Sequence, residues 1–90
     1  MQEIKLKENC EYDDFYKIAS LLEHELGATL IERIDDFDSL YWHFRIDGVG
    51  LILHYNIYEG IDLYSDEGKE ASNKAKDVVM SIGNKLLTYL

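Results

Sequence analysis

Two histidines and two tyrosines recur in the alternating segments of this sequence, and their side chains are the best candidates for chemistry. They are Tyr41, His43, His54 and Tyr64. An imidazole beside a phenol can transfer a proton, and two imidazoles on adjacent strands can contribute to a zinc site. A zinc site needs about four ligands, however, and a tuned proton donor needs a cleft or a charged neighbour. We therefore predict a protein that is not an enzyme and carries no cofactor or metal. A metal-dependent or small-ligand enzyme using His43 and His54 is the least favoured alternative.

A second candidate site is an acidic segment with an aromatic residue in its middle. Asp35, Asp36 and Asp38 surround Phe37. Their spacing matches part of a calcium loop, but the glycine and the distal glutamate that such a loop requires are missing. We interpret the segment as an acidic turn whose phenylalanine could anchor a protein partner. A plain solvated turn is the alternative, because aspartate favours turns on its own account.

The elements that must position these residues follow from hydrophobic periodicity. Residues 2–7 alternate as a short strand, and residues 28–64 contain four more alternating segments. Apolar residues spaced as on a helix precede Gly27, and a second such stretch follows the segment Ser65 to Gly68, which we expect to cap it. The order β-α-β-β-β-β-α predicts an α+β domain over residues 1–90, a two-layer sandwich. Its mostly antiparallel sheet would carry two helices on one face.

The register of the central hairpin decides which candidate residues meet. Asp47-Gly48 is a strong signal for a tight turn. A two-residue loop places Tyr41 opposite His54, whereas a four-residue loop places His43 opposite His54. Both loops leave large apolar residues together on the other face, so both alternatives remain open.

The next hairpin is predicted to turn through Gly60. A three-residue loop with Gly60 in the left-handed conformation would pair Ile57 with Ile61 and Tyr55 with Leu63. This register keeps apolar residues opposite each other on the buried face.

The aromatic residues lie on the face of the sheet that the helices would leave uncovered. Tyrosine is enriched at protein interfaces, although it also suits an ordinary solvated strand. A homodimer formed through this face, or through an open edge strand, is one alternative function. Nucleic-acid binding is not expected, because Arg45 is the one cationic residue on this face.

Charge favours a basic partner. The 90 residues carry 18 acidic and 9 Lys or Arg side chains, a formal charge of −9. Such a field attracts cationic proteins and repels nucleic acids and anionic membranes. The single cysteine, Cys10, the lack of a signal-peptide pattern and the lack of an apolar span predict a cytoplasmic protein that does not enter a membrane.

We therefore expect a small acidic protein-binding module, in its concrete form an immunity or antitoxin-type inhibitor of a basic protein. Carboxylates would cover a cationic groove of the target, and aromatic side chains would hold it. The residues expected to bind are Asp35, Asp36, Phe37, Asp38, Tyr41, His43, His54 and Tyr64.

Overall fold

The computed structural model describes residues 3–90, apart from the side chain of Lys69. Five strands and two main helices follow one another in the predicted order. The strands are β1 (Glu3–Lys7), β2 (Thr29–Asp35), β3 (Ser39–Ile46), β4 (Val49–Asn56) and β5 (Gly60–Ser65). The helices are α1 (Tyr12–Ser20), which continues through a wide π-helical turn (Leu21–Glu25), and α2 (Asn73–Tyr89).

All five strands form one antiparallel sheet in the order β1-β5-β4-β3-β2. Residues 28–64 thus form the predicted meander. The first strand joins it at the far edge, next to β5, a position that periodicity alone does not determine. The edges of the sheet are β1 and β2.

The β3–β4 hairpin follows the two-residue alternative. Ile46 pairs with Val49, and between them Asp47 and Gly48 both have positive φ angles, of 52° and 75°. This is the geometry of a type I′ turn, whose twist matches that of the strands it joins. Tyr41 consequently lies opposite His54.

The predicted β4–β5 register is wrong by two residues. Tyr55 pairs with Ile61 rather than Leu63, and Asn56 pairs with Gly60. The loop therefore consists of residues 57–59, and Ile57 is a half-exposed turn residue. A shift of two residues preserves the face on which each side chain lies, so the apolar face of the sheet is unchanged.

Both helices pack on that apolar face, which confirms the α+β architecture. Phe15 of α1 is fully buried and lies edge-to-face with Trp42 of β3, with ring centroids 5.1 Å apart. Val79 and Leu86 of α2 are buried in the same core. The other face of the sheet carries no helix within residues 3–90. Neither of the helices within these residues is long and apolar enough to cross a membrane.

The second helix begins later than predicted. Ser65 still belongs to β5, and a short 3-10 turn, Gly68–Glu70, intervenes. The cap is Ser72, whose Oγ accepts a hydrogen bond from the backbone N–H of Ala75 at 3.1 Å. Ser72 can act as the cap because its backbone is extended, with φ −64° and ψ 163°.

Candidate functional site

The residues predicted to bind separate into two surfaces. Asp36, Phe37 and Asp38 form the turn between β2 and β3, at one end of the sheet. The two histidines and two tyrosines of the prediction lie on the open face of the sheet, which the helices leave uncovered.

The end of the sheet is built by two neighbouring turns. The backbone N–H of Ile57 donates to the carbonyl of Asp38 at 3.2 Å, so the β4–β5 turn lies directly beside the β2–β3 turn. We call the six residues of the two turns the paired-turn surface. They are Asp36, Phe37, Asp38, Ile57, Tyr58 and Glu59.

Two aromatic side chains project from the paired-turn surface into solvent. Phe37 is 95% exposed and Tyr58 is 81% exposed. Ile57, 44% exposed, lies next to Tyr58 in the chain. Three large exposed apolar side chains thus lie on two adjoining turns, which is where a partner would have to cover them.

Side-chain hydrogen bonds brace the two turns against each other. Asn56 donates from Nδ2 to Ser39 Oγ at 3.0 Å and accepts the Tyr58 backbone N–H on Oδ1 at 2.8 Å. The Phe37 backbone N–H donates to Asp36 Oδ1 at 2.7 Å. These bonds fix the backbone from which the exposed rings project, so less freedom is lost when a partner binds them.

More acidic side chains gather at this end. The segment after β1 reaches it, because Lys7 pairs with Ile61, close to the β4–β5 turn. Glu8 lines a shallow depression together with Tyr58 and Glu59. Carboxylates therefore outnumber cations beside the paired-turn surface, because the lining of this depression holds four acidic residues and Lys5.

We predicted that Asp35 belongs to this acidic surface, but the structure gives its carboxylate a different partner. Its Oδ1 accepts a hydrogen bond from Trp42 Nε1 at 2.8 Å, on the face of the sheet that the helices cover. The guanidinium of Arg33 lies over the same indole, 5.2 Å from the ring centroid. Asp35 and Arg33 thus hold Trp42 in place, and the carboxylate of Asp35 has a structural partner.

Three of the predicted residues form an aromatic cluster on the open face. The rings of Tyr41 and His54 stack with centroids 4.3 Å apart and an angle of 9°. Tyr64 meets His54 edge-on at 6.3 Å. The Nε2 atom of His54 is buried under this cluster and has no hydrogen-bond partner among residues 3–90. Burial lowers the pKa of His54, although Asp62 nearby opposes the shift.

The fourth predicted residue, His43, lies apart from this cluster. Its Nε2 is 2.9 Å from Asp66 Oδ2. The carboxylate of Asp66 lies over Gly50, where a Cβ atom would collide with it. Gly50 therefore leaves the room that lets Asp66 reach across β4 to His43. The two histidines do not meet, and residues 3–90 contain no group of three or more His, Cys, Asp or Glu side chains suited to a metal.

An ion pair lies beside the cluster. Asp62 is directly opposite His54 and is 6% exposed as a residue, and its carboxylate is 3.1 Å from Lys5 Nζ. Lys5 also donates to the backbone carbonyl of Glu59 at 2.6 Å. Through Lys5 the open face is thus linked to the β4–β5 turn.

Sequence reasoning left Tyr58 out of the binding residues, although the predicted three-residue loop contained it. A signal was present, since Tyr58-Glu59-Gly60 stands between two apolar alternating segments, as turns do. Asp66 gave no comparable signal. Its meeting with His43 depends on the space above Gly50, which only the folded sheet defines.

Comparison with known proteins identifies a family. No curated protein and no solved structure shows significant similarity to the chain. The profile of a family described as proteins of unknown function, DUF3630, matches residues 1–78, which include the whole sheet and α1. The chain therefore belongs to the DUF3630 family.

Proposed function

We propose that this protein is a non-enzymatic binding module that captures a basic protein partner through the paired-turn surface. One observation carries the proposal: Phe37 and Tyr58 are 95% and 81% exposed on adjoining, braced turns that also carry acidic side chains. Aromatic anchors within a charged surround are typical of the residues that dominate binding energy at protein interfaces.

The two parts of the surface have different roles. Phe37 and Tyr58 would be buried by the partner and would determine how slowly the complex dissociates. The carboxylates of Asp36, Asp38 and Glu59 stay near solvent, where they attract a cationic partner from a distance and raise the association rate. An immunity or antitoxin-type inhibitor, which covers the cationic groove of its target, is the concrete form of this proposal. On this proposal the protein and its target meet in the cytoplasm.

The aromatic anchors are tested by affinity capture from a lysate of the source organism. The double variant Phe37→Ser with Tyr58→Ser is compared with wild type and with Tyr89→Ser, which removes an exposed ring from the end of α2. Because all three rings are largely exposed, we expect folded proteins in each case. We expect wild type and Tyr89→Ser to retain a basic protein that the double variant loses.

Equal retention by the double variant would place the binding surface elsewhere and refute the proposal. Recovery of the protein alone, as a particle of twice the chain mass in solution, would replace it with homodimer formation.

The carboxylates are tested by association kinetics with the captured partner. Asp36→Asn with Asp38→Asn removes two charges but keeps the oxygen atoms that accept hydrogen bonds within the turn. The control, Glu70→Gln with Asp77→Asn, removes two exposed charges outside the surface. We expect the first pair alone to slow association, by roughly three- to tenfold at low salt, and the difference to shrink in about 1 M salt. An association rate that depends on neither substitution nor salt would contradict electrostatic steering.

A further inference from the structure

One edge of the sheet, β2, is open along its outer side. It pairs with β3 alone within residues 3–90, and most of its side chains are exposed. Ile31 and Ile34 are 48% and 52% exposed. The register shifts between Leu30 and Glu32, so Ile31 forms a bulge, and the regular part of the edge begins at Glu32.

The hydrogen-bonding direction along β2 follows from its last turn. The backbone N–H of Asp36 donates to the carbonyl of Ser39 at 2.8 Å, so the backbone of Asp36 faces β3. In an antiparallel strand, alternate residues bond to opposite neighbours. Ile34 and Glu32 therefore also face β3, and the backbone N–H and C=O groups of Arg33 and Asp35 point away from the sheet.

We propose that a basic, extended segment of the partner protein adds to β2 as a sixth strand, pairing with the backbone of Arg33 and Asp35. This inference rests on the proposed function, which requires a basic partner, and adds the way in which that partner is held. Unpaired edge groups are a template for strand addition, and side chains on the added strand provide its specificity.

Charge decides between a basic segment and a second copy of this chain. The edge and its turn carry the carboxylates of Glu32, Asp36 and Asp38 against the single cation Arg33, whereas the carboxylate of Asp35 is bound to Trp42. The side chain of Arg33 already lies over Trp42. Self-pairing would bring two such acidic edges together, which like-charge repulsion disfavours. Lysine or arginine residues on the added strand would instead lie against carboxylates.

Amide hydrogen exchange tests the backbone contact directly. The probe is an acetylated, amidated peptide of four alternating Lys-Val pairs, added to the wild-type protein in low salt. In the free protein we expect the N–H groups of Arg33 and Asp35 to exchange fast and that of Ile34 to exchange slowly. With the peptide, the first two should exchange at least about tenfold more slowly. A peptide N-methylated at every residue, which keeps its charge but has no backbone donors, should give no such protection.

Two substitutions at one position separate backbone from side chain. Arg33→Thr removes the guanidinium and keeps the outward N–H, whereas Arg33→Pro removes both. Proline is tolerated on an edge strand where the lost N–H makes no bond to the sheet. We expect Arg33→Thr to bind the peptide within about threefold of wild type and Arg33→Pro to bind at least about tenfold more weakly. Circular dichroism checks the fold of both, and the N-methylated peptide provides the same test without altering the protein.

Equal peptide binding by the two variants, or unchanged exchange at Arg33 and Asp35, would overturn strand addition. The captured partner separates this failure from failure of the proposed function. If Arg33→Pro retains the partner and the Phe37→Ser, Tyr58→Ser variant loses it, the paired-turn surface binds without strand addition. If both variants retain the partner, both proposals fail.

Discussion

Two glycines with positive φ angles should respond very differently to alanine. Gly60 and Gly27 have φ angles of 92° and 78°. A Cβ atom at Gly27 would meet no atom within 4 Å, whereas one at Gly60 would collide with the backbone carbonyl of Lys7 and the Cα of Glu8. Gly60 thus lets the end of β1 lie against the turn that carries Tyr58.

The size of each effect can be worked out from these geometries. A left-handed alanine costs roughly 1–2 kcal/mol, partly offset by about 0.4–1 kcal/mol because the unfolded chain loses freedom. Gly27→Ala should therefore destabilise by about 1 kcal/mol. Gly60→Ala adds an overpacking cost of about 1–3 kcal/mol, since the obstructing atoms belong to the backbone and cannot rotate away. We expect a total of about 2–4 kcal/mol at Gly60.

Urea denaturation measures the difference. With a slope near 1 kcal/mol per molar urea, typical of a small domain, the midpoint of Gly60→Ala should lie about 1–3 M below that of Gly27→Ala. Because both variants place alanine at a positive φ, this gap reports mainly the steric contact at Gly60. Equal midpoints would show that β1 does not pack against Gly60, and the placement of Glu8 beside Tyr58 would then be wrong as well.

Two further predictions concern buried polar groups. Burial lowers the pKa of His54 below the ordinary 6.5, so the folded state takes up a proton at lower pH than the unfolded state does. The packing of neutral His54 therefore contributes its full stability above about pH 6.5. This contribution is lost as the pH falls through that value toward the folded-state pKa. His54→Phe keeps the ring against Tyr41 and should lose less stability than wild type between about pH 7.5 and about pH 5.5 in urea titrations; parallel losses would contradict this origin. Asp35→Ala leaves the Trp42 indole N–H without its acceptor and should cost about 1–3 kcal/mol, whereas Asp36→Ala, in an exposed turn, should cost less than about 1 kcal/mol. Equal costs would mean that the Trp42 hydrogen bond contributes nothing.

Local patterns were sufficient to predict the elements and the open face of the sheet. Strict alternation determines the face of each residue in β3, β4 and β5, and Asp47-Gly48 favours a tight turn whose twist suits its strands. The β4–β5 register was missed because both registers bury the same face. The observed register is the one in which Asn56 closes the turn. Asn56 accepts the Tyr58 N–H on its side chain and the Glu59 N–H on its carbonyl.

The structure separates Asp35 from the other residues of the predicted acidic turn, for a reason that the sequence does not show. Asp35 resembles Asp36 and Asp38 in sequence, but the bulge at Ile31 reverses the alternation along β2. Leu30 lies opposite Phe44 on the covered face, and after the bulge the odd-numbered residues share that face, so Asp35 meets Trp42. A bulge depends on pairing with the neighbouring strand, and a single strand's sequence does not encode it.

The open edge and the paired-turn surface meet without a break, which leads to a last prediction. Asp35, whose backbone faces outward, is followed directly by Asp36 and Phe37 of the turn. A segment that pairs along β2 in the direction of the turn must therefore pass Phe37. For the captured partner, binding losses from Arg33→Pro and from Phe37→Ser should then be coupled.

A double-mutant cycle measures this coupling. If one partner segment contacts both sites, the loss in the double variant should be smaller than the sum of the single losses by about 0.5 kcal/mol or more, because a segment released from the edge no longer holds the ring in place. Arg33→Pro combined with Tyr58→Ser serves as the comparison, since Tyr58 lies on the turn farther from β2. Additive losses in both cycles would mean that edge and turn bind separate parts of the partner, because sites without a shared contact act independently.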